Sequence, residues 1–204
     1  MTRKRVAVLI SGRGSNMTAL IEAAEAPDYP AQIVLVLSNE PNAAGLTRAR
    51  LAGIATAVVD HRPFGEDREA FERALDDTLH AYRIDLICLA GFMRLLTPWF
   101  VTRWSGRMLN IHPALLPQFK GLHTHRRALE AGVQQHGATV HFVVPEMDSG
   151  PIVLQDSVPV QEGDTEETLA ARVLEVEHRI YPQALRLVAE GRVTLAAATA
   201  ATRG

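Results

Sequence analysis

Short, unbroken apolar runs alternate with amphipathic stretches through the first half of the chain. Val6 to Ile10 is wholly apolar and ends in Ser11-Gly12-Arg13-Gly14-Ser15-Asn16, after which Met17, Leu20 and Ile21 recur at helical spacing. The pattern predicts a strand, a glycine turn and a helix. It repeats with a strand over Ile33 to Leu37, a helix over Ala43 to Leu51 and a strand over Thr56 to Val59. A longer helix is expected over Asp67 to Tyr82, where Phe71, Leu75, Leu79 and Tyr82 share one face; Leu86 to Ala90 then reads as a fully buried strand. Apolar strands alternating with amphipathic helices build an open, twisted, mostly parallel sheet with helices on both faces, so the expected fold class is α/β.

Past Gly91 the rhythm changes. Trp99 and Trp104 read as packing groups near a short helix after Thr97-Pro98. Met108 to Ile111 is expected as a strand, Pro113 to Thr124 as a loop, and Thr139 to Val144 and Ile152 to Val160 as two further strands, mixed or antiparallel. Asp164 and Glu167 form a capping-box pattern before a last helix carrying Leu169, Val173, Val176, Ile180 and Leu187. The Ala/Thr run from Ala196 reads as a frayed tail. With no internal repeat and no linker, a single domain over 1–195 is expected, in two continuous halves (1–105 and 106–195), followed by a flexible tail over 196–204.

Composition narrows the function. A chain of 204 residues with 47% hydrophobic and 22% charged residues can bury one sizeable core, which argues against disorder. A net charge of -2 gives no general attraction to a nucleic-acid backbone, so no nucleic-acid partner is expected and a small anion needs a local site. Cys88, the only cysteine, lies in an apolar run; no internal disulfide is possible, and a reducing cytoplasm fits. The apolar stretch after the basic Arg3, Lys4 and Arg5 ends at Ser11, too short for a signal segment or a membrane span, so no membrane partner is expected.

Three segments carry candidate chemistry. In the turn Gly12-Arg13-Gly14-Ser15-Asn16, glycines permit a tight fold and free N–H groups at a helix start face any bound anion. Met17 replaces the third glycine of the dinucleotide fingerprint and no Gly-Lys-Ser/Thr follows, so one phosphate suits the turn better than a pyrophosphate. The alternative is an ordinary tight turn with Ser15 as helix cap. Asn110-Ile111-His112-Pro113 places Asn110 and His112 on one face at a strand's carboxyl end, the edge where open α/β sheets bind ligands. If the strands are parallel, Gly91-Phe92-Met93 and the glycine turn reach the same edge. An imidazole moves protons near neutral pH and a carboxamide N–H stabilises an oxyanion; a structural hydrogen bond is the plainer role for His112. Asp148, in Glu146-Met147-Asp148-Ser149-Gly150-Pro151, is either a turn aspartate or a carboxylate that orients His112 and favours its protonated form. His123 and His125 raise a metal site with His112 or Asp148, but no tight Cys or His framework supports it, and no metal is expected. Glu177, inside the last helix, is by default a solvated or ion-paired carboxylate.

The stretches VLISGRGSNMTALIEA, LAGFMRLL, LNIHPALLPQFKGLHTHRRAL, HGATVHFVVPEMDSGPIVLQ and EHRIYPQAL together resemble the folate-dependent formyltransferases through nearly the whole chain. The resemblance implies a formyltransferase-like fold with a mononucleotide-binding amino-terminal half and a catalytic, folate-binding second half. It implies an enzyme of purine biosynthesis that moves the formyl group of 10-formyltetrahydrofolate, a co-substrate, to the amine of glycinamide ribonucleotide. The family's catalytic triad falls on Asn110, His112 and Asp148, and its acceptor-phosphate loop on Gly14, Ser15 and Asn16, with Glu177 reaching the acceptor's ribose. Folate contacts fall on Arg68, on Met93, Arg94, Leu95 and Leu96, on Asn110, and on Val144, Pro145, Glu146, Met147 and Asp148. Thr139 is expected to support the polar cluster. Arg13 stands where relatives often have a small polar residue, adding a cation beside the phosphate loop. The partners implied are small molecules, with the chain a monomer or homodimer. The competing readings are a formyltetrahydrofolate hydrolase, a formyltransferase with another amine acceptor such as methionyl-tRNA, and, in a different class, a non-catalytic phosphate- or folate-binding module.

Overall fold

A computed structural model describes residues 2–201. Seven strands form one sheet: β1 (Lys4–Ile10), β2 (Ala31–Ser38), β3 (Ala55–Val58), β4 (Leu86–Leu89), β5 (Met108–His112), β6 (Gln135–Phe142) and β7 (Ile152–Pro159), in the order β3-β2-β1-β4-β5-β6-β7. β1 to β5 pair in parallel, and β6 and β7 add antiparallel strands at one side. The central strands are apolar on both sides because both faces are covered. Val6, Val8, Ile10, Cys88, Leu109 and Ile111 pack under the helices α1 (Ser15–Ala24), α2 (Ala44–Leu51) and α6 (Glu166–Ala189). Ala7, Leu9, Leu35, Leu37, Ile87 and Met108 pack on the other face, under α3 (Arg68–Ala81) and α4 (Pro98–Arg103). Among the described residues no helix is long and apolar enough to cross a membrane.

β1 has β2 on one side and β4 on the other, and the helices that follow β1 and β4 pack on opposite faces. Their connections part at this point and leave a crevice beyond the carboxyl ends of the strands.

Several expectations need correction. β6 begins at Gln135, four residues before the expected start, because His136 and Gly137 are buried in the ladder and hide the strand's apolar pattern. A further helix, α5 (Thr124–Glu130), follows the loop that was expected to include Thr124. Thr165, not Asp164, caps α6: its hydroxyl accepts the Thr168 N–H and the Thr168 hydroxyl accepts the Thr165 N–H, while Asp164 accepts two bonds from Arg172. Gly14, in the left-handed region at φ 70°, is the cap position of α1, and Ser15 is already helical with no side-chain cap bond. The run expected to fray from Ala196 is helical as α7 (Leu195–Ala201); Ala198 is buried in the core, and Thr194 Oγ1 accepts the Ala197 N–H. Alanine has the highest helix propensity, so an Ala/Thr run with one packed face need not fray. Residues 202–204 lie outside the described residues.

Candidate active site

The crevice is assembled from four connections. After β1, the turn through Gly14 is held by two neighbours: Ser11 N–H donates to Gly91 O at 3.1 Å and Gly45 N–H to Gly12 O at 3.0 Å. Ser11 Oγ accepts the Met93 N–H at 2.8 Å, so the segment after β4 is tied to the start of this turn. At the start of α1, Asn16 is buried, and its Nδ2 donates to Glu177 Oε2 at 2.6 Å, while Oδ1 is buried without a hydrogen-bond partner. Burial pushes the Glu177 carboxyl above its ordinary range and the Asn16 bond offsets part of that shift. Glu177 is thus neither solvated nor ion-paired. It is bonded to the turn after β1 from 161 positions further along the chain. Arg13 is exposed at the tip of the turn.

Beyond β4, Met93 and Leu95 are exposed, Arg94 and Leu96 half-buried. Thr97 closes this segment by donating its N–H to Glu72 Oε1 at 2.6 Å and its hydroxyl to Oε2. Arg68 opens α3, one turn before Glu72 on the helix, and is exposed.

At the end of β5, Asn110 and His112 share a face, and His112 is 6% exposed. Asp148 arrives from the connection between β6 and β7. His112 Nδ1 stands 3.5 Å from Asp148 Oδ2, which also accepts the Gly121 N–H at 2.8 Å. His112 Nε2 lies 2.9 Å from the Phe119 carbonyl oxygen. Both ring nitrogens therefore face acceptors, and a doubly protonated ring can donate to both. Asp148 has φ 49°, a left-handed conformation uncommon for residues with a side chain, though aspartate adopts it more readily than most. Gly150 lets its loop lie against β6, since a Cβ there would fall inside the Phe142 carbonyl group.

Sequence reasoning missed His141. Antiparallel pairing sets it opposite Asn110, and its Nε2 is 3.2 Å from Asn110 Nδ2 and 3.9 Å from Asp148 Oδ1. Thr139, opposite His112, does not bond the triad. Its hydroxyl donates to Ala114 O at 2.6 Å and accepts from Leu116 N–H and Gln155 Nε2, bracing the loop that follows His112. The same loop is fixed farther on, where Lys120 Nζ donates to Ser149 Oγ at 2.5 Å and Arg127 to Lys120 O at 2.6 Å. In the 144–147 stretch, Pro145, Glu146 and Met147 are exposed and Val144 is half-buried. His123 and His125 do not join His112 and Asp148: His125 packs edge-on against His136 at 5.2 Å, and His123 is the left-handed residue before α5. Among the described residues no group of three His, Cys, Asp or Glu side chains is placed to hold a metal ion.

An open α/β sheet with a glycine turn at its switch point, whose helix-start N–H groups can receive an anion, beside an Asn–His–Asp cluster suited to oxyanion stabilisation and proton transfer, has the features of a group-transfer site. Residues 4–185 match the model of the formyl transferase family, and the chain belongs to that family. It is 48% identical over 190 residues to phosphoribosylglycinamide formyltransferase of Escherichia coli K12, covering 93% of this chain and 89% of that protein. It is 52% identical to the trifunctional purine biosynthetic protein adenosine-3 of Bos taurus over 95% of this chain, and spans only 19% of that relative's length. The crystal structure of phosphoribosylglycinamide formyltransferase from Brucella melitensis superposes with a TM-score of 0.89 at 55% identity, over 94% of this chain and 98% of that one.

Proposed function

We propose that this protein transfers the formyl group of 10-formyltetrahydrofolate to the amine of 5-phosphoribosylglycinamide. The observation that carries the reading is the Asn110, His112 and Asp148 cluster at the strand edge, 3.5 Å between ring and carboxylate, in a chain so similar to proteins of that name. The acceptor's phosphate sits on the N–H groups of the turn through Gly14, Ser15 and Asn16, with Arg13 adding positive charge. Its ribose lies against Glu177, where the unpartnered Asn16 Oδ1 accepts a hydroxyl. The folate enters between Met93, Leu95 and Leu96 on one side and the 144–147 stretch, with its apolar Val144, Pro145 and Met147, on the other, Arg68 and Arg94 facing its carboxylates.

In the transfer, the amine nitrogen bonds to the formyl carbon and the carbonyl electron pair moves to oxygen. Asn110 Nδ2–H and His112 Nε2–H hold that oxyanion, which takes the place of the Phe119 carbonyl beside Nε2. As the oxyanion's electron pair returns to re-form the carbonyl and the bond from the formyl carbon to N10 breaks, His112, oriented by Asp148, gives its proton to N10 and takes up the proton that the attacking nitrogen loses. The products are tetrahydrofolate and the formylated amine. No covalent enzyme intermediate and no metal enter the scheme.

The test is a folate absorbance assay on the purified protein with 10-formyltetrahydrofolate, run with and without glycinamide ribonucleotide. Acceptor-dependent deformylation is the expected result. Deformylation that ignores the acceptor would make the protein a hydrolase, and folate binding without turnover would make it a binding module.

A further inference from the structure

His141 is 3% exposed, and the transfer chemistry above gives it no task. Its two nitrogens meet different partners. Nδ1 lies 2.9 Å from the Phe142 carbonyl oxygen, which only accepts, so Nδ1 carries a proton. Nε2 faces Asn110 Nδ2 at 3.2 Å, while Asp148 Oδ1 at 3.9 Å is beyond hydrogen-bond range. The titratable groups acting on the ring are Asp148 and His112. Burial is the largest influence and pushes its pKa down; the Phe142 carbonyl and Asp148 push back, and His112 adds to the fall. A neutral ring with its proton on Nδ1 shows a bare lone pair at Nε2, and only an N–H can face it.

We infer that His141 is a positioning residue for formyl transfer, whose Nε2 lone pair fixes the Asn110 carboxamide so that Nδ2, and not Oδ1, is the atom offered to the developing oxyanion. The inference rests on the reading of Asn110 as an oxyanion donor. A carboxamide has two N–H bonds: one goes to His141 and the second is free for the substrate. Turned by half a rotation, the same group would aim a carbonyl oxygen at the oxyanion, replacing an attraction by a repulsion. The tautomer of His141 is itself set by backbone, because Phe142 offers its carbonyl where Gly150 lets the loop pass.

Two measurements test this. Imidazole nitrogen shifts of the full-length protein at neutral pH should report a neutral His141 protonated on Nδ1; a ring protonated on Nε2, alone or together with Nδ1, overturns the inference whether or not the protein is a transferase. The second is a cycle of His141→Leu and Asn110→Ala. His141→Leu should lower kcat by roughly 10- to 100-fold with KM for both substrates little changed, since its effect passes through one oxyanion donor. In the Asn110→Ala background the same change should cost less than about twofold. Equal costs in both backgrounds, or a loss carried by KM, overturns it. His141→Gln, whose amide oxygen reaches the place of Nε2, should recover most of the rate; a folded Gln variant as slow as Leu overturns it. A wild-type protein that transfers no formyl group fails the functional reading, whereas an active wild type with an insensitive His141→Leu variant fails only this inference.

Discussion

Thr139 is fully buried on β6, and its hydroxyl is the joint between the strand and the loop that follows His112. It donates to Ala114 O at 2.6 Å and accepts from Leu116 N–H at 3.1 Å and Gln155 Nε2 at 2.7 Å. Thr139→Val keeps the shape of the side chain and opens no cavity, but strands the Ala114 carbonyl and the Leu116 N–H. Gln155 Nε2 keeps its 3.0 Å bond to Leu116 O, so its loss is partial. At about 1–3 kcal/mol for each stranded buried group, the change should cost roughly 3 kcal/mol. For a chain of this size that is a fall in Tm of roughly 6–12 °C. Thr139→Ser retains the hydroxyl and gives up one methyl group, worth about 1 kcal/mol. Urea unfolding of the three proteins, with m unchanged, measures both values, and hydrogen exchange at the Leu116 amide locates the damage. The Val variant should also turn over more slowly, because the loop it loosens carries Phe119 and Gly121, the partners of His112 and Asp148. A Val variant within about 1 kcal/mol of wild type, or a Ser variant as damaged as Val, would refute the bonding scheme.

Three other outcomes are expected. His112→Ala and Asp148→Ala should each lower turnover by about 100-fold or more while the protein stays folded, and unchanged turnover in either removes that residue from the proton path. Glu177→Gln retains an acceptor for Asn16 but removes the buried carboxyl, so KM for the acceptor should rise while KM for the folate stays put; equal effects on both would contradict its place beside the ribose. His136 is fully buried with its pKa pushed down to about 4, first by burial and then by His125 and His112. In the unfolded chain the ring titrates near its ordinary value of about 6.5, so the unfolded state takes up a proton that the folded state refuses as pH falls. Stability present above that value is lost as pH falls towards the folded pKa. His136→Phe should therefore lose stability less steeply than wild type through this window, and parallel urea midpoints would contradict the assignment.

Most of the parallel half of the sheet was readable because β1, β2 and β4 carry unbroken apolar runs at Val6–Ile10, Ile33–Leu37 and Leu86–Leu89, with helices following them. The later elements were harder to see for specific reasons. His136 is polar but buried in the ladder, so the period-two pattern of β6 appeared only from Thr139 onward. α5 is seven residues long and follows a loop rich in Pro and Gly. α7 is an alanine run whose helix is settled by tertiary packing of Ala198. In the site, Asn110 and His112 followed from strand alternation, and the pairing with Asp148 was a possibility that the loop geometry realises at 3.5 Å. His141 had a signal in the sequence. Thr139 and His141 alternate as Asn110 and His112 do, and an antiparallel pairing of their strands sets His141 against Asn110. The Glu177–Asn16 bond had none, since only tertiary packing of α6 on α1 brings those positions together.

The central claim is that a formyl group passes from folate to a phosphorylated amine and not to water. The most direct measurement follows the isotopically labelled formyl carbon of 10-formyltetrahydrofolate by NMR during turnover with glycinamide ribonucleotide. Label appearing in the formamide of the ribonucleotide, at the rate at which tetrahydrofolate forms, is the predicted result. Label appearing as free formate would contradict it.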